Sequence, residues 1–135
     1  MLPSIPTDRS IYESSIATYW FEGEILVSLS KPVKRTVELI KENVETVKRI
    51  TNNKPVPLLI FLTDSPMPDK ATRKFSSEMV PVIYSAMAMI SKPGLSGLIM
   101  KMVFAFQKPP IPMKSFTNAE EGKQWLQQLN LIRST

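Results

Sequence analysis

The feature that most constrains the fold is a change of hydrophobic period in the first half of the chain. Val33, Val37, Ile40, Val44, Val47 and Ile50 recur at spacings of four, three, four, three and three. Apolar residues so spaced form a single stripe on an α-helix. Glu38, Lys41, Glu42, Glu45, Lys48 and Arg49 lie between them, a water-facing side with opposite charges three or four apart. The segment "NNKPVP" (52–57) then ends the helix, and "LLIFLTD" begins an unbroken apolar run. Such a run suits a strand covered on both faces. An amphipathic helix feeding a doubly covered strand implies a layered α/β domain with that strand near its centre.

The flanking segments extend the pattern. Residues 14–29, "SSIATYWFEGEILVSL", hold two β-branched and aromatic runs around Glu22-Gly23-Glu24, which predicts a hairpin with glycine in the turn. Ile25, Val27 and Leu29 alternate with Glu24, Leu26 and Ser28, so one face of the second strand is expected to be buried. After a loop at 64–68, "DKATRKFSSEM" permits a helix, with Ala71, Phe75 and Met79 four apart. Pro81 is expected to introduce a strand, "VIYSAMAMIS", whose small alanines allow close neighbours. "PGLSGLIMKMVFAFQ" (93–107) predicts a helix and "PPIPMKSF" a short strand. Thr117 with Glu120 forms a capping-box pattern before "NAEEGKQWLQQL". The order β-β-α-β-α-β-α-β-α requires crossovers, hence a mostly parallel mixed sheet edged by the hairpin, with about four helices.

A chain of 135 residues fits one domain. Residues 1–13 read as an amino-terminal extension and 14–135 as the domain. The chain contains neither cysteine nor histidine. Disulfide, thiolate and imidazole chemistry are therefore excluded, and with them the usual general base near neutral pH. No Gly-rich phosphate loop and no carboxylate cluster at metal spacing occurs, so no cofactor and no metal are expected. Net charge is +5. Residues 1–65 balance eight Lys/Arg against eight Asp/Glu, whereas residues 66–135 hold nine against four. Lys92, Lys101, Lys108 and Lys114 share a stretch without a carboxylate, either an ordinary lysine-bearing surface or one suited to an anionic partner. The lysines are not interleaved with aromatics in a stacking platform, so nucleic acid is not an expected partner. "MLPSIPTDRS" lacks the marks of a secretory signal, which makes a cytoplasmic location the expectation. Leu98–Phe106 is interrupted by Lys101 and is far shorter than the ~20 residues of a bilayer span, so no integral membrane segment is expected.

The strand "PLLIFLTD", the helix "ATRKF", the strand "YSAMAMI", the return "KPPIPMKSF" and the closing "TNAEEGKQWL" together resemble the STAS domain. Within that class the chain is most similar to the SpoIIAA-like, STAS/CRAL-TRIO-like group of small bacterial proteins of largely unassigned function. The resemblance spans roughly residues 14–129 and implies a single α/β domain of the SpoIIAA-like kind. It also implies two functional precedents. STAS antagonists are switched by phosphorylation of a serine in an Asp-Ser-Ser-Gly-like motif, and CRAL-TRIO carriers hold an apolar ligand. Here the local sequence is Asp64-Ser65-Pro66-Met67, without the second serine and the glycine.

Two groups of residues are candidate sites. Asp64, Ser65, Asp69 and Arg73 follow the central strand, where ligand and phosphoryl sites of parallel sheets lie. They either receive a phosphate or ligand hydroxyl near a helix amino terminus, or bond loop amides, cap the helix and pair with a nearby carboxylate. The second group lies on the 95–107 segment. At ~100° per residue, Leu95, Leu98, Ile99, Met102, Val103 and Phe106 share one arc, and Met100 and Phe104 fall opposite. Large apolar groups on both sides of a helix suit either a partner or burial under a neighbouring loop such as 108–113. These residues lead to a non-enzymatic binding or regulatory module acting through a protein partner, with homodimerisation through 95–107. The alternative is an apolar small molecule or lipid held between that helix and the sheet, walled by methionines and floored by the 82–91 strand, with Leu98, Met100, Met102, Phe104, Met87 and Met89 as the candidate interface or ligand residues.

Overall fold

The computed structural model of the chain describes residues 3–63, 66–91 and 110–134, the last four by backbone alone. Six strands, β1 (Tyr12–Glu13), β2 (Ala17–Glu22), β3 (Ile25–Ser30), β4 (Val56–Phe61), β5 (Tyr84–Ile90) and β6 (Met113–Phe116), form one sheet in sequential order. β1, β2 and β3 are antiparallel neighbours, and β3 to β6 run parallel. Three helices lie among the described residues: α1 (Val37–Ile50), α2 (Lys70–Ile83) and α3 (Ala119–Ser134). The expected 95–107 helix falls outside them. Right-handed crossovers from β3 to β4 and from β4 to β5 step the same way across the sheet, which puts α1 and α2 on one face. Tyr19, Leu26, Leu58 and Tyr84 pack there with Ile40, Val44 and Val47. Trp20, Val27, Leu59, Ala88 and Ile90 point to the other face, under Leu126 of α3.

Local chemistry sets the element ends. Glu22 pairs with Ile25 across a two-residue loop, and Gly23 at its first position has φ +60°, as a type II′ turn requires. Both faces of β3 are buried, not one, because α1 packs over Leu26 on one face of the sheet and α3 over Ile25 and Val27 on the other. α1 starts at Val37 and not near Val33. The Thr36 hydroxyl accepts from the Leu39 N–H at 3.2 Å and fixes the first turn, while Val33 reaches the same core from the preceding loop. At the other end Asn52 and Asn53 have φ near +60°, and the Asn53 N–H donates to the Lys48 carbonyl at 2.9 Å. That is the Schellman closure, with asparagine taking the left-handed position.

Pro81 lies inside the last turn of α2 and does not open β5, which starts at Tyr84. A proline there forfeits one backbone donor in the last turn, while the Tyr84 N–H still closes the helix on the Val80 carbonyl. α3 is capped by Asn118, not Thr117: its Oδ1 accepts from the Glu120 and Glu121 N–H groups at 2.8 and 3.3 Å. Gly122 lets α3 settle against the sheet, because a Cβ there would meet Ile90 Cδ1 and Leu59 Cδ1 at 3.0 Å and Ala88 Cβ at 3.4 Å. The expectation that the β5 alanines serve close approach is realised at that contact.

The sheet also has a strand that the sequence reading does not propose. β1 covers only Thr18 and Tyr19 of β2. Beyond it, Arg9 Nη1 donates to the Phe21 carbonyl at 3.1 Å. Before it, the Ser14 N–H donates to the Ala17 carbonyl, and the Ser14 hydroxyl accepts from the Ala17 N–H.

Candidate functional site

At the carboxyl end of β4, two of the four polar candidates are within the described residues. Asp69 is the N-cap of α2, its Oδ1 accepting from the Thr72 N–H at 2.8 Å. That bond holds its carboxyl below the usual carboxylate value, with smaller help from Lys34 and Arg73. Arg73 donates to the Pro68 carbonyl at 3.0 Å, where the sequence suggested a carboxylate partner. Both side chains therefore bond the backbone that starts α2. Asp64 and Ser65 lie outside the described residues. Met67 on the same loop is 53% exposed and Val82 in the last turn of α2 is 42% exposed. Phe75 and Met79, two turns and one turn before Val82, are half-buried against the core.

Met87 and Met89 of β5 share one sheet face, where Met89 is buried among Ile60, Leu62, Met87 and Met113. Leu98, Met100, Met102 and Phe104 lie outside the described residues. Among the described residues no group of three or more acidic side chains is placed to hold a metal ion, and no helix is long and apolar enough to cross a membrane.

A polar cluster that the sequence reading missed sits between α1 and the sheet. Asn43 Oδ1 accepts from the Tyr19 hydroxyl at 2.7 Å and from the Ser14 hydroxyl at 2.8 Å. Because the Tyr19 proton is used on Asn43, the Tyr84 hydroxyl, 3.3 Å away, donates to the Tyr19 oxygen. Burial pushes both tyrosines above the ordinary phenol value, Tyr84 the more. All four residues are buried, so the cluster ties β2, β5 and α1 together and offers no route to a substrate. Its signal in the sequence is the one asparagine adjoining Val44 and Val47 on the apolar side of α1.

The concave surfaces lie at the opposite end, where β4 begins. A cleft of about 590 Å³ opens between the hairpin turn, the end of α1 and Asn130 of α3. A smaller one of about 200 Å³ shares Gly23, Glu24, Pro57 and Asn130 with it and continues toward Leu126. The Asn130 side-chain amide donates to the Glu24 carboxylate at their common wall.

The architecture agrees with a solved structure. An uncharacterized protein from the DUF3478 family with a SpoIIAA-like fold, from Shewanella loihica PV-4, superposes with a TM-score of 0.55 at 16% identity. The match covers 87% of this chain and 91% of that one. At that identity the likeness shows the fold alone. No curated protein matches the chain. The model of the family described as Domain of unknown function (DUF7793) matches residues 19–130, from the core tyrosine of β2 to the asparagine at the clefts. With its mixed six-stranded sheet and SpoIIAA-like fold, the chain belongs to the DUF7793 family.

Proposed function

We propose that the protein is a non-enzymatic binding or regulatory module that acts through protein–protein contacts. One contrast at the carboxyl end of the sheet carries this reading. Asp69 and Arg73, the two polar candidates described there, bond the backbone at the start of α2, while Met67 stands exposed on the same loop. An exposed apolar side chain beside polar groups already bonded to the backbone favours a protein surface over a polar ligand. The sequence of 95–107 supplies the contact that would pair two copies, through Met100 and Phe104. Native mass spectrometry of the purified chain tests this. A dimer mass that falls to the monomer in Met100→Glu with Phe104→Glu supports the reading, and an unchanged mass in the folded variant defeats the homodimer.

The grouping of Met87, Met89 and Met113 with Ile60 and Leu62 favours a second reading, an apolar small molecule or lipid on that sheet face. In the same measurement a co-purified lipid, seen as added mass on the monomer, would replace the first reading with this one.

A further inference from the structure

The cleft at the beginning of β4 is built from residues far apart in the chain. After Ile50, Thr51 caps α1 and the two left-handed asparagines reverse the chain, so that Lys54 and Pro55 lead into β4 beside the hairpin turn. Phe21, Ile50 and Val56, all half-buried, give the cleft an apolar floor. Its exposed rim carries Arg49 and Lys54, and neither has a carboxylate partner among the described residues. The one carboxylate in the wall, Glu24, is engaged by the Asn130 amide. The end of α1 is also closed toward the cleft. The Val47 carbonyl takes the Thr51 N–H and hydroxyl, the Lys48 carbonyl the Asn53 N–H, and the Thr51 carbonyl the Lys54 N–H. Of the carbonyls at this helix end, those of Val47, Lys48 and Thr51 are thus already bonded near the two cations.

We infer that this cleft binds a small carboxylate with an apolar body. The carboxylate meets the Arg49 guanidinium and the Lys54 ammonium, and the body lies on Phe21, Ile50 and Val56. Charge complementarity selects the anion, since two free cations face one committed carboxylate. The volume of about 590 Å³ is that of ordinary small-ligand sites. The site lies at the other end of β4 from Met67, so it is independent of the protein-contact reading and can hold or fail without it. The competing explanation is that Arg49 is only a basic residue in the last turn of α1.

Titration of the ¹⁵N-labelled protein with phenylacetate, and separately with phenethylamine at the same ionic strength, distinguishes the two. The inference requires saturable shifts of the Gly23, Asn52 and Lys54 amides with phenylacetate and none with the amine. It also requires affinity to drop roughly tenfold in Arg49→Gln with Lys54→Gln, as loss of charge-assisted bonds implies. The dispersion of the variant's spectrum reports its fold. Absence of saturation, an equal response to the amine, or unchanged affinity in the folded variant would each overturn it.

Discussion

Replacing Asn43 tests the buried cluster most directly. Asn43→Ala removes the acceptor of two hydroxyls, at 2.7 Å from Tyr19 and 2.8 Å from Ser14. Two net hydrogen bonds are worth about 2 kcal/mol, and a stranded buried hydroxyl adds about 1–3 kcal/mol. Relief is partial. Ser14 retains the Ala17 carbonyl at 3.4 Å, and the Tyr19 proton can turn to Tyr84. Alanine also gains about 0.5 kcal/mol in helix propensity. The expected loss is therefore about 2–3 kcal/mol. Tyr19→Phe leaves Asn43 with its Ser14 bond and should cost about 1–1.5 kcal/mol. Because the two changes remove one shared bond, the double variant should fall short of the sum by about 1 kcal/mol. Urea denaturation of the four proteins measures each value. If the two losses add to within about 0.3 kcal/mol, the side chains are not coupled and the account of the cluster is wrong.

Two further outcomes follow from the packing and the titrating groups. Gly122→Ala should destabilise by up to about 2 kcal/mol, because overpacking against Leu59 and Ile90 costs about 1–3 kcal/mol and helix propensity returns about 1. Thermal melts should show the loss shrink in an Ile90→Val background, which removes one of the 3.0 Å contacts; a stabilised Gly122→Ala would contradict the close approach. Asp69, bonded first by the Thr72 amide, and Glu42, bonded first by the Ser15 hydroxyl, have carboxyls below their ordinary values of 3.8 and 4.5. Their stabilisation is present above those values and is lost as pH falls through the lower folded ones. Tyr19 and Tyr84 are raised by burial, so their contribution is whole below the ordinary phenol value of 10.0 and is lost as pH climbs beyond it. The Tm should therefore fall below about pH 4 and above about pH 10. A Tm that stays level into either range, followed by circular dichroism, would refute the corresponding part.

Much of the fold was legible because period and burial coincide. The α1 stripe and the run into β4 each signal their element over several residues, and the alternation of elements dictates a parallel sheet. The ends were less legible. Val33 keeps the helical spacing while standing in a loop, and only the Thr36 hydroxyl decides where the helix starts. Pro81 reads as a boundary, yet near a helix end its missing donor costs one bond and the helix continues past it. Asp69 and Arg73 were ambiguous for a different reason. A cap and an anion site draw on the same groups, and only distances separate them. The cleft was invisible, because Phe21, Arg49 and Asn130 meet through the topology and share no local pattern.

The way β2 is closed limits how this protein can meet another. The outward carbonyl of Phe21 is taken by the Arg9 side chain, Tyr19 pairs with Tyr12, and Ala17 is bonded by Ser14. At the far side β6 is four residues long and carries Lys114, with Pro110 and Pro112 just before it. Short, charged, proline-flanked or plugged borders discourage strand addition. An incoming extended peptide would have to expel Arg9 and β1 to extend the sheet on the β2 side. Association is thereby steered away from edge-to-edge pairing and onto side-chain surfaces, where recognition depends on shape and residue identity rather than on a backbone any strand could match.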